Sequence, residues 1–477
     1  MNEFLTRFPH ILALVFLLTA SASLALLPAS ARAQFAPLPE DQAIEDRSIE
    51  VLSLTALIGS PQQRREALNR IVERGGLDLV PTLVLFMRIG GAHVDVADAL
   101  YRLTGEQMNT WRDAMLWQEA HPEVIPHESY RAIKLRFFSS IDDRFLQFFD
   151  PEVTAREQMR IRLEEITWGG VRVDGIPSLD NPGLIDADDE TYMLDSDLVF
   201  GVEINGDVRA YPLRIMGWHE MFNEVIGGVP VALAYCTLCG AGILFETQPD
   251  DRAEPFVFGS SGFLYRSNKL MFDRETNTLW NQFTGEPVVG PLAHSGLQLK
   301  IRPVTITSWK KWKERHPQTK ILSLNTGHFR NYDSGFVYRE YFASPELMFP
   351  TIVRDETQVK RKEFIFGIRE FGAAKAWPVE VFRNDSRVIN DRIGNTNIVL
   401  IGDAETRTVR AYQRGEEQFD TEKDNSLQSP GGLWQITEDN LIGPNGETLP
   451  RVPGHIAYWF AWDGYLGVGS ELYEGSG

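Results

Sequence analysis

The chain has 477 residues, 43% of them hydrophobic and 11% aromatic, which is ample for packed cores and long enough for two or three domains. Its formal charge of -19 opposes nucleic acid and anionic lipid, since both recruit basic patches. The only two cysteines stand three positions apart, which excludes a disulfide-built scaffold and marks the pair as used together.

Residues 1–33 read as an export signal: Arg7 gives a positive charge, Ile11 to Leu27 is an uncharged apolar run, and Ala31-Arg32-Ala33 is a small-x-small cleavage site. Glu3, and a run near the lower length limit for a span, leave an uncleaved anchor as the alternative. No later segment is apolar for long enough to cross a bilayer. The mature chain is therefore expected to be exported, periplasmic or extracellular, with no stable membrane span after cleavage. A C-x-x-C pair persists as a disulfide there.

Residues 34–165 carry helical spacing. Ser60-Pro61 is a helix start that leads into Ala67, Leu68, Ile71 and Val72 until Gly75-Gly76 stops it. Leu77 to Ile89 follows, ended by Gly90-Gly91, then Val94 to Leu103, ended by Gly105. The pattern predicts an all-α domain of stacked antiparallel helices, HEAT-like or a plain bundle, suited to docking a protein partner. No chemistry is assigned to it.

Past Gly169-Gly170 the texture changes to short strands with Gly, Asn, Asp and Pro turns, so the chain as a whole is predicted to be α+β. Val199 to Met216 aligns without gaps on Ile365 to Phe382, with Arg209 facing Lys375 and Tyr211 facing Trp377. Each copy reads as strand, glycine turn and returning strand closed by proline. The match resumes at Leu279-Trp280-Asn281 against Leu433-Trp434-Gln435. Two related β-rich modules are expected, over 166–345 and 346–467, followed by a C-terminal tail over 468–477. At the strand end where the first copy has its cysteines, the second has Gly402-Asp403-Ala404, which points to a site in the first module alone.

The cysteines lie in Tyr235-Cys236-Thr237-Leu238-Cys239-Gly240, between two apolar β-prone runs, Val229 to Tyr235 and Ala241 to Glu246. That predicts a hairpin-like corner. Gly240 and Gly242 argue against a helix opening at the pair, the setting that lowers a thiol pKa in thioredoxin-like sites. The arrangement is closer to a metal knuckle, with the glycine supplying a positive φ. Its further ligands would be His219 and Glu220, the imidazole acting on the metal or as a base for Cys236. The plainer reading makes His219 a backbone-bonded histidine. Met216 and Met271 are either soft ligands for Cu(I) or core.

Further along, Gly259-Ser260-Ser261-Gly262 is read as a flexible turn bearing two hydroxyls, without the setting of a hydrolase elbow. Asp273-Arg274, with a turn at Thr276-Asn277 before Trp280, reads as a hairpin whose charge pair is structural. His294, His328 and His455 form no metal spacing. The aromatic run from His455 to Trp462 reads as a stacking surface or as an element closing a core.

Asp174 to Pro182, Arg209 to Pro212, Trp218 to Glu220, Tyr235 to Gly240, Ser261-Gly262, Asp273-Arg274, Leu279-Trp280 and Gly285 together resemble DUF3179, a prokaryotic, often exported domain family of unknown function. The resemblance spans about 165–465 and implies no activity. The family usually has Pro after the first cysteine, where this chain has Thr237. The pocket candidates are Arg209, Tyr235, Ser261, Tyr265, Asp273, Arg274 and Trp280.

Three readings follow. The first is zinc or copper held by Cys236, Cys239 and His219 or Glu220. The second is thiol-disulfide exchange, with Cys236 attacking and Cys239 resolving. The third is a binding or scaffold protein with an inert disulfide. Spacing does not separate them, and no substrate is legible.

Overall fold

The computed structural model describes residues 48–89, 93–151, 154–383 and 388–475. The predicted signal over 1–33 and the Gly90-Gly91 stop lie outside the described residues. Among those residues, no helix is long and apolar enough to cross a membrane.

The N-terminal part is helical: α1 Ile49–Ile58, α2 Pro61–Arg74, α3 Val80–Ile89, α4 His93–Thr104, α5 Trp111–Ala120, α6 Ser129–Ile141 and the short α7 Leu146–Phe149. Ser60 caps α2 as expected: its hydroxyl accepts from Gln63 N while Gln63 Oε1 accepts from Ser60 N. Ile71, Leu83, Phe86 and Leu100 are fully buried between these helices. The helices are fastened to the β region by aromatic packing. Phe138, Phe145 and Phe149 surround Phe263, with ring centroids 4.6, 4.5 and 5.2 Å away.

The β region runs through β1 Ile166–Trp168, β2 Leu179–Asp180, β3 Leu184–Asp186, β4 Leu198–Ile204 and β5 Asp207–Pro212, then α8 Leu213–His219. Next come β6 Met221–Ile226, β7 Val229–Cys236, β8 Ala241–Glu246, β9 Phe258–Tyr265, β10 Asn268–Asp273, β11 Leu279–Asn281, β12 Glu286–Val289, β13 Ile301–Arg302 and β14 Thr305–Ser308. Then come α9 Trp309–Arg315, β15 Lys320–Leu322, α10 Arg339–Ala343, β16 Phe364–Glu370, β17 Ala373–Pro378, β18 Val388–Ile393, β19 Thr396–Asp403 and β20 Thr408–Gln413. The chain closes with β21 Thr421–Lys423, β22 Ser426–Ser429, β23 Gly432–Ile436, β24 Asn440–Ile442, β25 Thr448–Val452, β26 His455–Tyr458, α11 Trp459–Leu466 and β27 Glu471–Leu472.

Two four-strand sets share order and sense. In β14-β4-β5-β15 the first two pairings are antiparallel and the last parallel, and β26-β16-β17-β27 repeats this. In each, a helix opening on W-x-x-W follows the edge strand. A Cβ on Gly201 would collide with Trp312, and one on Gly367 with Trp462, so the glycine in each sheet makes room for a buried indole. Asn223 on β6 clasps Phe258 through its N–H and C=O at 2.9 Å each, and Asn390 on β18 clasps Phe419 likewise, at 3.0 and 2.7 Å.

One expectation is corrected, and one alternative is decided. Gly259 to Gly262 is no flexible turn but part of β9, buried throughout: Gly259 and Ser260 pair with β10, while Ser260 O and Gly262 O accept from Asp174 N and Gly169 N. Met216 and Met271 are completely buried among apolar side chains, the ordinary place for an unbranched thioether.

Candidate functional site around the cysteine turn

The predicted hairpin corner is present: β7 and β8 are antiparallel, Cys236 opposes Ala241, and residues 237–239 make one 3₁₀ turn closed by Gly240 at φ 60°. Cys236 and Cys239 are disulfide-bonded to each other. Gln282 reaches across beneath the corner, donating to Ala234 O at 2.8 Å and Ala241 O at 3.1 Å. Both sulfurs are buried, Cys236 at 2% exposure and Cys239 at 0%, so whatever access exists favours Cys236.

The turn sits in an apolar cluster that includes Met221, Ile243 and Tyr341, yet four polar side chains are buried with it. Cys239 Sγ lies 3.0 Å from Asn268 Oδ1 and 3.5 Å from Ser267 O, both acceptors for a thiol once the bond opens. Asn268 Nδ2 is buried and finds no acceptor among the described residues. Thr237 donates its hydroxyl to Glu220 Oε1 at 2.6 Å. Lys269 Nζ stands 3.3 Å from Glu220 Oε2 and 3.4 Å from Glu220 O, and burial lowers its pKa against the opposing pull of Glu220. Above the turn, Tyr341 donates to Leu238 O at 2.7 Å and Tyr338 to Glu220 Oε1 at 3.4 Å.

His219 and Glu220 part company at the end of α8. Glu220 takes the left-handed conformation, φ 55°, as the C-cap, so the carboxylate turns to Thr237 while the imidazole turns elsewhere. His219 Nδ1 donates to Pro177 O at 2.9 Å. Nε2 therefore accepts, from the Tyr332 hydroxyl at 2.6 Å. Burial pushes the imidazole down to about 4. Both ring nitrogens are engaged away from the sulfurs, as in the backbone-bonded reading. Among the described residues no group of three or more His, Cys, Asp or Glu is arranged to hold a metal.

The other candidates scatter. Arg209 pairs with Glu224 at 2.9 Å and Asp207 at 2.6 Å. Ser261 donates to Leu270 O at 2.6 Å inside the sheet. Tyr265 packs edge-on against Tyr465 with centroids 5.8 Å apart. Asp273 accepts from Thr276 N at 2.6 Å and Trp280 Nε1 at 2.9 Å, fixing the hairpin in which Asn277 is left-handed, and Trp280 is wholly buried. Arg274 grips Asp174 with two bonds of 2.8 and 3.0 Å. Tyr235 alone adjoins the turn.

A family model described as a protein of unknown function, DUF3179, matches residues 173–468. The chain belongs to this family. Isoleucine--tRNA ligase of Haemophilus influenzae (strain 86-028NP) is 22% identical over 302 residues, covering 58% of this DUF3179 chain. The match takes in 29% of the ligase, so the chain spans less than a third of that relative's length. No solved structure matches.

Sequence reasoning missed Asn268, Lys269 and Tyr338 because they come from β10 and from the segment before α10, far along the chain from the cysteines. The one available signal was Thr237, a hydroxyl inside the motif where the family usually places proline.

Proposed function

We propose that this protein is an exported thiol-disulfide redox protein whose working pair is Cys236 and Cys239. The carrying observation is the polar shell buried against the disulfide: Asn268 at Cys239, with the Glu220–Lys269–Thr237 cluster beside the turn. An inert cystine has no use for a buried ion pair, which by itself adds little stability. A dithiol does, because opening the bond takes up protons and creates a thiolate that needs donors, and closing it releases protons that need nearby acceptors. Asn268 Nδ2 is a donor without work in the disulfide form.

In the forward sense the reduced pair acts on a disulfide of a substrate. Cys236 thiolate attacks one substrate sulfur, forming a mixed disulfide and expelling the other as a thiolate that takes a proton. Cys239 then gives up its proton towards the Glu220–Lys269 cluster and attacks Cys236 Sγ, breaking the mixed disulfide and releasing the second substrate thiol. The substrate gains two electrons and two protons, and the pair loses them. An external dithiol restores the reduced form.

The metal reading, with zinc or copper, asks for two free thiolates and a third ligand. His219 offers neither nitrogen without giving up Pro177 or Tyr332.

Equilibration in thiol-disulfide buffers, with free thiols counted, tests the proposal. A cycling pair should titrate at a potential of about -120 to -270 mV, whereas a value below about -300 mV is that of a structural disulfide and sinks it. Zinc added to the reduced protein is the control for the metal reading. Lys269→Met should move the potential, while Arg274→Ala, on a distant surface pair, should not.

A further inference from the structure

The hairpin of module two that matches the cysteine hairpin also ends in an unusual residue. Cys236 opposes Ala241 across one turn and Asp403 opposes Thr408 across the other, each with four residues between. The last of the four is left-handed in both, Gly240 at φ 60° and Arg407 at φ 53°. Arginine is an uncommon occupant of that conformation. The turns meet at the module seam: a Cβ on Gly240 would stand 2.8 Å from Phe364 and 3.3 Å from Tyr458, both of the second module.

Arg407 stacks its guanidinium 4.1 Å from the centroid of Phe364, which is itself stacked on Tyr458 at 4.4 Å. Its electrostatic neighbours are two phenols, Tyr235 and Tyr458, with no carboxylate among them, and burial lowers its pKa. Several other arginines of the β region are paired with a carboxylate, while Arg369 and Arg414 are held by backbone carbonyls. Arg209 has Glu224, Arg354 has Asp463, and Arg410, three residues along the next strand, has Glu438. Arg407 is half-buried, so its guanidinium, without a counter-ion, remains open to solvent or to a ligand. Neither the guanidinium nor the hydroxyls of Tyr235 and Tyr458 have a hydrogen-bond partner among the described residues, although both rings are at least 95% buried.

We propose that Arg407, Tyr235 and Tyr458 form a binding site for an oxyanion, a carboxylate or phosphate group of a small ligand, held against the Cys236–Cys239 turn. The guanidinium fork supplies paired donors of fixed spacing, and the two hydroxyls add neutral donors from the flanks. Because Tyr235 precedes Cys236, an anion seated here places the rest of its molecule beside the disulfide. The site stands on its own geometry, whether or not the disulfide cycles.

Calorimetric titration of the full chain with acetate, and separately with inorganic phosphate, at constant chloride tests this without any redox readout. Saturable binding of one probe per chain is expected, and the better probe tells carboxylate from phosphate. Arg407→Gln should weaken it at least about tenfold, the loss of a charged hydrogen bond. The double variant Tyr235→Phe with Tyr458→Phe keeps the rings and the cation, and should weaken it about three- to tenfold. Absence of saturable binding for both probes overturns the proposal, as does equal affinity in the wild type and Arg407→Gln. Should Arg407→Gln fail to fold, unchanged affinity in the double tyrosine variant overturns it instead.

Discussion

Cys236 on β7 and Asp403 on β19 hold the same place in two matching hairpins, yet one opens on a disulfide and the other on an ordinary polar turn. Around them the correspondence is close. Both sheets reserve a glycine for an indole, both second hairpins carry an asparagine clasp, and both place a carboxylate under a cation and an aromatic donor. Glu224 serves Arg209 and Tyr211; Asp391 serves Lys375 and Trp377. What recurs is what either module needs to fold. What does not recur, the cysteines with Glu220, Asn268 and Lys269 on one side and Arg407 on the other, is free to serve chemistry.

The comparison breaks most readily at the indoles. Trp312→Ala and Trp462→Ala should each lose about 3–5 kcal/mol in urea unfolding, since each empties a fully buried site. A tolerant variant at only one of them would end the equivalence. The charge pairs should differ in degree. Glu224→Gln takes from Arg209 and Tyr211 a carboxylate only 4% exposed, leaving Arg209 to Asp207, and should lose about 2 kcal/mol. Asp391→Asn, where the carboxylate is 17% exposed, should lose about 1 kcal/mol by the same measurement.

A pH scan of unfolding separates two groups of opposite sign. His219 is held neutral, its pKa depressed to about 4 against an ordinary 6.5. The unfolded chain therefore binds its proton first, and stability present above pH 6.5 falls as pH drops towards 4, by up to about 3 kcal/mol. His219→Gln should flatten that limb. Glu119, at the border of the helices and the β region, is pushed up to about 7 by burial, opposed by Arg266. There the native state keeps the proton, so stability falls as pH rises from 4.5 through 7. Glu119→Gln should raise stability at pH 8 by about 1–2 kcal/mol.

The smallest effect should come from the disulfide. Closing so short a loop restricts the unfolded chain by about 2 kcal/mol at most. The double variant Cys236→Ser with Cys239→Ser should therefore lose no more than about 2 kcal/mol against the oxidised parent in urea unfolding, and a loss near 5 kcal/mol would return the pair to a purely structural role.

Local chemistry made much of this protein legible. The Ser60 cap, the hairpin at Cys236 and the Asn277 turn all rest on residues close in sequence, where caps, glycines and alternation act directly. Ser260 and Ser261 misled because a Gly-Ser-Ser-Gly string is compatible with a turn until β10 and the segment from Gly169 to Asp174 bind its backbone on both sides. Tertiary structure alone decided who meets the sulfurs. One left-handed residue, Glu220, sends its carboxylate to Thr237 and leaves His219 to Pro177 and Tyr332. Asn268, Lys269, Tyr338 and Arg407 reach the turn from distant strands and loops, and proximity made by packing leaves no periodic trace in the chain.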